Sequence, residues 1–250
     1  MENHTELALE AAGALARGAM KKSIMLSSSL RRLCFTAPTA FGENNGYNKG
    51  VYHTLLLETD PLGDKKAVKE IKEGVALSVR AFGGGKKRRV LAVGLGNPAA
   101  VTDSLGAETV KRLSAGAKGK KYLAAVIPSV FGLTGLETAS VVKGIAAEYR
   151  PDLVVAVDTL STKRSERLFR AVQITDGGLV PGGGVGNRRL PLCEEVLGVP
   201  VLALGVPLLA FADRCSSLPQ GLVVTPKEID LLVPLFASAL AGGVEKGLFD

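Results

Sequence analysis

The chain has 250 residues, 46% of them hydrophobic and only 5% aromatic, so Val, Leu, Ala and Gly must build the core of one large α/β domain. Its net charge of +7 would suit an acidic partner such as DNA or a protein bound to it. No aromatic residues or nucleic-acid motif accompany the clusters of basic residues, so we favour the interpretation that these clusters lie in solvated loops and at helix ends. Two histidines, His4 and His53, and three widely spaced cysteines argue against Ser–His–Asp or Cys–His catalysis, a zinc site or a disulfide framework.

The first 85 residues predict a helix, a loop, a strand and a second helix. Residues 1–33 are rich in alanine and prone to form a helix, and a cluster of Gly, Asn and Pro predicts a loop over 36–50. Residues 51–58 alternate as in a strand, and 65–81 have helical spacing of apolar residues. We therefore expect residues 7–50 to form a loosely attached N-terminal extension of a domain spanning 51–250.

From residue 89 onward the pattern alternates between apolar strands and helices, as in an α/β fold. The predicted fold is a single-domain, mostly parallel sheet with helices on both faces. Thr225 is predicted to cap the last helix and Pro226 to lie in its first turn. The predicted strands are 89–95, 122–127, 153–157, 171–175 and 201–206, and the predicted helices are 103–114, 137–149, 190–197 and 226–248.

The glycine-rich motif at residues 93–98, Val-Gly-Leu-Gly-Asn-Pro, has three possible meanings. It resembles a dinucleotide-binding fingerprint, but Ala99 stands at the third glycine position and no clear acidic partner ends the next strand. The same six residues open the peptidyl-tRNA hydrolases, which need a histidine soon afterwards, and none follows here. We favour a tight turn after a strand, and binding of a nucleotide or a tRNA end remains an alternative that nucleotide-binding assays would test.

Two aspartates are the best candidates for acid–base chemistry. Asp103 lies just after the glycine-rich turn, where it would serve either as a helix N-cap or as a catalytic group. Asp158 follows the apolar strand 153–157, and ligands of open α/β sheets bind beyond the carboxyl ends of the strands. If the two carboxyl groups meet there, one would stay protonated as an acid while the other accepts a proton from water.

Further polar and glycine-rich positions suggest a substrate-binding rim. Glu137 starts a predicted helix, and residues 181–187 read Pro-Gly-Gly-Gly-Val-Gly-Asn, a loop whose N–H groups could face a substrate. Arg188 and Arg189 follow this loop and would either clamp an acidic side chain or face water.

Several of these segments together resemble the spore germination proteases of endospore-forming bacteria. The resemblance covers nearly the whole chain. It rests on residues 93–97 with Asp103, 127–128 with 132–138, 151–158, 173–176, 181–187, 197–207 and 224–230, and on Thr-Glu-Leu-Ala-Leu-Glu-Ala at 5–11, which looks like a processing region.

The resemblance implies a fold similar to the hydrogenase-maturation proteases, a tetramer, no cofactor or established metal requirement, and catalysis by Asp103 and Asp158. It implies a zymogen that removes its own leader and then degrades the small acid-soluble proteins coating spore DNA, cutting after Glu or Asp and before an apolar residue. The processing bond would be Glu6–Leu7, which leaves residues 1–6 as the pro-segment. The residues expected to bind substrate are Glu137, Gly183, Gly184, Asn187 and Arg188.

The chain also differs from the family pattern. The leader before Leu7 is short, Thr102 stands where proline is usual, Gly183 stands where serine is usual, and the segment between 212 and 221 is short. An alternative function is therefore that of an inactive or regulatory homologue that binds spore proteins. With no signal peptide or membrane span and no disulfide pattern, we expect a cytoplasmic protein of the forespore and spore core that binds no nucleic acid directly and no membrane.

Overall fold

The computed structural model describes residues 8–10, 20–37, 49–64, 66–182, 189–211 and 222–250. The ten strands of these parts are β1 Met20–Met25, β2 Leu30–Ala37, β3 Gly50–Leu57, β4 Arg89–Gly94, β5 Gly116–Lys118, β6 Lys121–Val126, β7 Leu153–Thr162, β8 Ala171–Thr175, β9 Val201–Phe211 and β10 Val223–Val224. The helices are α1 Ala67–Ala81, α2 Leu105–Lys111, α3 Phe131–Thr134, α4 Thr138–Tyr149, α5 Glu194–Leu197 and α6 Ile229–Phe249.

All ten strands belong to one sheet, ordered β1-β2-β3-β8-β9-β7-β4-β6-β5, with β10 paired to β9. The pairs β6–β4, β4–β7 and β7–β9 are parallel, and the remaining pairs are antiparallel. The α/β class predicted from the sequence is confirmed. The sheet is mixed rather than mostly parallel as predicted, because only β6, β4, β7 and β9 pair in parallel. Asp103 follows β4, and Asp158 lies on β7.

Helices cover both faces of the sheet. On one face α1, α2 and α6 bury the larger hydrophobic core against alternate residues of the central strands, such as Val155 and Leu204. On the other face α4 and α5 bury a smaller core that includes Val154 and Ala156. Because side chains of a strand alternate between faces, both faces of β7 are apolar over residues 153–157, as this uninterrupted hydrophobic run predicts.

The helix predicted over residues 1–33 is wrong for its second half, because residues 20–25 and 30–37 are strands. Strand β2 pairs with β3 along its whole length, from Leu30 opposite Leu57 to Ala37 opposite Gly50. This part of the expected N-terminal extension is therefore paired into the sheet rather than loosely attached. Pairing with a distant strand supplies the backbone hydrogen bonds that a helix would have made locally. Of the loop predicted over 36–50, residues 38–48 lie outside the described residues, while 36–37 belong to β2 and residue 50 to β3.

Two predicted element boundaries are also corrected. The last helix begins at Ile229 rather than at Pro226, and the Thr225 hydroxyl donates to the Leu208 carbonyl oxygen instead of capping it. Strand β7 continues past Asp158 to Thr162 beside the equally extended β9. By length and composition α6 could cross a membrane, but 61% of its apolar stretch is buried within the fold and belongs to the larger core.

Candidate active site

Asp158 lies where the neighbouring strand β4 stops. The last residue of β4, Gly94, pairs with Val157, and the Leu95 N–H donates to the Val157 carbonyl oxygen at 2.9 Å. Beyond Val157, β7 no longer pairs with β4 and remains paired only with β9, so Asp158 is the first residue of β7 beyond the end of β4. Asp158 is 5% exposed, and its Oδ1 accepts the Thr159 N–H at 2.8 Å. The sequence correctly predicts a buried carboxyl group at this edge, although the strand does not end there.

Asp103 ends a 3-10 turn, Val101–Asp103, in the loop between β4 and α2. It does not cap the helix: Oδ2 accepts the Asn97 N–H at 2.7 Å, which closes the glycine-rich turn on itself. Partial burial raises the pKa of the Asp103 carboxyl group, and the hydrogen bond from Asn97, which favours the charged form, opposes this only in part. Asp103 therefore retains its proton to a higher pH than a solvated aspartate.

The first turn of α2 holds these two segments together. A Cβ at Gly106 would lie 2.3 Å from the Val157 carbonyl oxygen and 2.5 Å from the Leu95 nitrogen, so only glycine allows this close approach. The turn Val101–Asp103 lies beside β7, with Cα atoms within 8 Å of residues of that strand. The structure thus brings the segments that carry Asp103 and Asp158 to one edge of the sheet, as the sequence predicted.

Glu137 directly precedes α4 and forms an ion pair with Arg189, which follows the glycine-rich segment 181–187 in the sequence. Its Oε1 accepts from the Arg189 guanidinium at 2.6 Å, and this guanidinium lies 4.2 Å from the centre of the Phe131 ring. Arg189 therefore links the end of the loop to the start of α4. The other predicted substrate-binding residues, Gly183, Gly184, Asn187 and Arg188, lie outside the described residues, as do Glu6 and Leu7 of the predicted processing bond.

Residues 8–10, which follow Leu7 of that predicted bond, lie against the sheet. Ala8 is fully buried, and its N–H donates to Gln173 Oε1 at 2.7 Å. Gln173 pairs with Gly205, which pairs with Asp158, so the three residues form one row across β8, β9 and β7. Paired residues of neighbouring strands point to the same face, so the Gln173 and Asp158 side chains share a face of the sheet.

Glu10 is bound at the far end of β7. Its carboxylate accepts from Thr162 Oγ1 at 2.5 Å, from the Lys163 N–H at 2.7 Å and from the Arg167 guanidinium at 3.0 Å, and its side chain is only 4% exposed. Sequence reasoning missed this set. The segment 5–11 stands out in the sequence as a processing region, but Thr162 and Arg167 carry no local signal that pairs them with it.

Comparison with known proteins gives consistent matches. A family model described as germination protease matches residues 37–218. The germination protease of Clostridium acetobutylicum is 36% identical, with 80% of this chain and 79% of that protein covered, and that of Caldanaerobacter subterraneus is 34% identical, covering 65% and 67%. The germination protease of Bacillus subtilis is 34% identical and is covered over 52% of its length by 70% of this chain.

Among solved structures, a nickel–iron hydrogenase maturation protease from Thermococcus kodakarensis matches with a TM-score of 0.41 and 22% identity, over 68% of this chain and 99% of that one. Within the described residues, no group of three or more His, Cys, Asp or Glu side chains is arranged to hold a metal ion.

Proposed function

This chain belongs to the germination protease family, and we propose that it is an endopeptidase whose Asp103 and Asp158 together hydrolyse the peptide bond. The observation that carries this proposal is the placement of the two aspartates. One follows β4 and the other follows the point on β7 where β4 ends, at the edge where α/β sheets bind ligands. Both are at least partly buried, where a carboxyl group can depart from its solvated behaviour.

In the proposed reaction the two carboxyl groups have different roles. Asp158 accepts a proton from water as the water oxygen attacks the carbonyl carbon, and Asp103, whose pKa is raised by burial, donates its proton to the carbonyl oxygen. The tetrahedral diol then collapses: the proton on Asp158 passes to the leaving nitrogen, and a diol hydroxyl returns a proton to Asp103. Both groups end in their starting states.

We further propose that the substrates are small acid-soluble spore proteins, cut after Glu or Asp and before an apolar residue. The chain would first process itself at Glu6–Leu7, act as a homotetramer and reside in the cytoplasm of the forespore and spore core. The hydrogen bond from Ala8 to Gln173 supports self-processing, because it holds the residue after Leu7 in the same sheet row as Asp158.

Self-cleavage tests the proposal directly. The purified full chain is incubated, and its N-terminus is followed by mass spectrometry. We expect a new terminus at Leu7, and we expect Asp103→Asn and Asp158→Asn to slow its appearance by about 10²-fold or more because each removes a proton-transfer group.

Asp152→Asn is the matched control. Asp152 lies just before the opposite end of β7, where its carboxylate accepts the Arg88 and Arg89 N–H groups at 2.9 Å, and we expect its replacement to leave cleavage intact. Full activity in Asp158→Asn would refute the catalytic assignment. An unchanged Met1 terminus in the unmodified chain would favour a binding role instead.

A further inference from the structure

Two basic clusters that are separate in the sequence, 86–89 and 118–121, form one surface in the fold. Strand β4 begins at Arg89, which pairs with Tyr122 of β6, and the Tyr122 N–H donates to the Arg88 carbonyl oxygen at 2.6 Å. The second cluster forms the tight connection between β5 and β6, in which Lys118 pairs with Lys121. We call this surface the basic edge, and its residues are Lys86, Lys87, Arg88, Lys118, Lys120 and Lys121.

Most of the positive charge of the basic edge is not neutralised by ion pairs. Lys118 pairs with Glu245 at 3.0 Å, and the Lys121 ammonium donates to the main-chain carbonyl oxygens of Gly85 and Leu248, which carry no formal charge. Within the described parts of the chain, the other four side chains form no ion pair, and each is exposed or partly exposed; they are Lys86, Lys87, Arg88 and Lys120.

The carboxylate of Asp152 lies beside the first cluster but is bound by the main chain. It accepts the Arg88 and Arg89 N–H groups at 2.9 Å each, and these hydrogen bonds, together with the charges of Lys87 and Arg89, lower the pKa of Asp152. Asp152 therefore stays ionised without forming an ion pair with a side chain of the basic edge. Asp250, which follows α6, forms no ion pair with the described cations either.

The shape of the basic edge suits a regular polyanion. The segments before β4 and β6 and the β5–β6 connection lie on three adjacent strands, so at the usual strand spacing the charges extend over about 10 Å. Duplex DNA carries one phosphate charge per about 1.7 Å of its axis, so about six phosphates occupy that length. Tyr122 is the one large apolar side chain exposed within residues 84–90 and 116–123, so a lipid bilayer would gain little apolar burial here.

We propose that the basic edge binds the phosphate backbone of double-stranded DNA without reading its sequence. This placement of the two clusters changes the expectation from the sequence that the chain binds no nucleic acid directly. Asp103 follows the opposite end of β4, about 17 Å away at about 3.3 Å per residue, so bound DNA would leave the candidate active site open. The binding does not depend on the proposed peptidase function, although it would hold the enzyme near substrates that coat DNA.

Binding of DNA to the purified full chain tests the proposal. A fluorescein-labelled duplex of mixed sequence is titrated at two KCl concentrations, about 50 and about 200 mM, and binding is followed by anisotropy. If about four phosphates are neutralised, the affinity should fall by about 10²-fold between these concentrations. The combined variant Lys86→Gln, Lys87→Gln, Arg88→Gln and Lys120→Gln should bind at least about tenfold more weakly at the lower concentration and lose most of the salt dependence.

A second variant with the same net charge is the matched control. It carries Lys66→Gln, Lys69→Gln, Lys143→Gln and Lys227→Gln, four exposed positions outside the basic edge, and its affinity should stay within about threefold of the unmodified chain. A third variant, Lys86→Arg, Lys87→Arg and Lys120→Arg, keeps the charges and should bind DNA as the unmodified chain does. Its melting temperature and that of the first variant show that charge, rather than folding, accounts for the loss.

Three results would overturn the proposal: no binding to the unmodified chain at the lower salt concentration, equal weakening in the two glutamine variants, or weakening in neither. Sedimentation with vesicles that contain phosphatidylserine tests a lipid surface instead, and vesicle binding that only the first variant loses, without DNA binding, would also overturn it. Self-cleavage is measured on the same samples. DNA binding without a new terminus at Leu7 refutes the protease alone, and a new terminus without DNA binding refutes the basic edge alone.

Discussion

At the scale of single residues, the candidate site depends on a glycine that lets Asp103 fold back onto the turn before it. Gly96 has φ of +90°, and a Cβ there would lie 2.0 Å from the Asp103 carbonyl oxygen and 2.7 Å from Oδ1. A side chain at this position would push Asp103 away from the Asn97 N–H that fixes its carboxylate. Gly96 therefore sets the position of Asp103 without touching a substrate.

We expect Gly96→Ala to lower kcat/KM for a peptide substrate by about 10²-fold, because a displacement near 1 Å of a catalytic group has an effect of this size. The melting temperature should also fall, since the left-handed backbone is strained for alanine. Gly132→Ala is the control: Gly132 lies in α3, where an added Cβ meets nothing within 4 Å, so kcat/KM should be unchanged and the melting temperature should not fall. Undiminished activity of Gly96→Ala would contradict the role assigned to the turn.

At the scale of elements, the packing of α1 against α6 depends on small residues. A Cβ at Gly243 would lie 2.6 Å from Val75 Cβ, and one at Gly247 would lie 2.6 Å from Val79 Cβ. These two glycines lie one helical turn apart, so they form a groove along α6 into which the valines of α1 fit. The high intrinsic cost of glycine in a helix is offset here by close contact between the helices.

Replacing a helical glycine by alanine should consequently have opposite effects at two positions. Gly247→Ala is expected to destabilise the fold by about 1–3 kcal/mol through overpacking against Val79. Gly144→Ala, in the exposed middle of α4 where an added Cβ meets nothing within 4 Å, should stabilise it by about 0.5–1 kcal/mol. Urea unfolding of both variants measures the difference, and a stabilising Gly247→Ala would show that the helices have room to separate.

At the scale of the whole molecule, the N-terminal strands and the α/β half share one continuous sheet, and a buried histidine lies in the part that joins them. His53 in β3 is 8% exposed, pairs with Cys34 of β2 and contacts the Phe82 ring with centroids 4.6 Å apart. Burial and the nearby Arg32 charge lower the pKa of His53 to about 4. The folded protein therefore keeps this imidazole neutral where an unfolded chain would protonate it.

The pH dependence of stability follows from this shift. The pKa of His53 in the folded protein lies below its ordinary value of 6.5. The contribution of neutral His53 to the free energy of unfolding is therefore fully present above about pH 6.5 and is lost progressively as the pH falls towards 4. We expect the urea concentration at the unfolding midpoint to be lower at pH 4.5 than at pH 7.5. The decrease should be smaller in His53→Phe, whose side chain cannot titrate. An identical fall in both proteins would assign the pH dependence to other groups.

The local sequence pattern predicts those elements whose buried residues follow one another or recur at a regular spacing within a single segment. The apolar runs at 89–95 and 171–175 correspond to β4 and β8, and the helical spacing at 65–81 corresponds to α1. The glycine-rich turn and the two aspartates also stand out, because each follows a recognisable strand. Together with the family motifs, these features were enough to predict the α/β class and the germination protease family.

Only the tertiary structure determines which distant segments pair with one another. Strands β1 and β2 replace part of a predicted helix because β2 pairs with β3 and β1 pairs with β2, and β7 extends beyond Asp158 because β9 runs beside it. The site that binds Glu10 joins residues 157 positions apart, from Glu10 to Arg167. Periodicity indicates which residues of one segment are buried. Hydrogen-bond and charge partners depend on which separate segments pack together, so the sequence of either segment alone does not predict them.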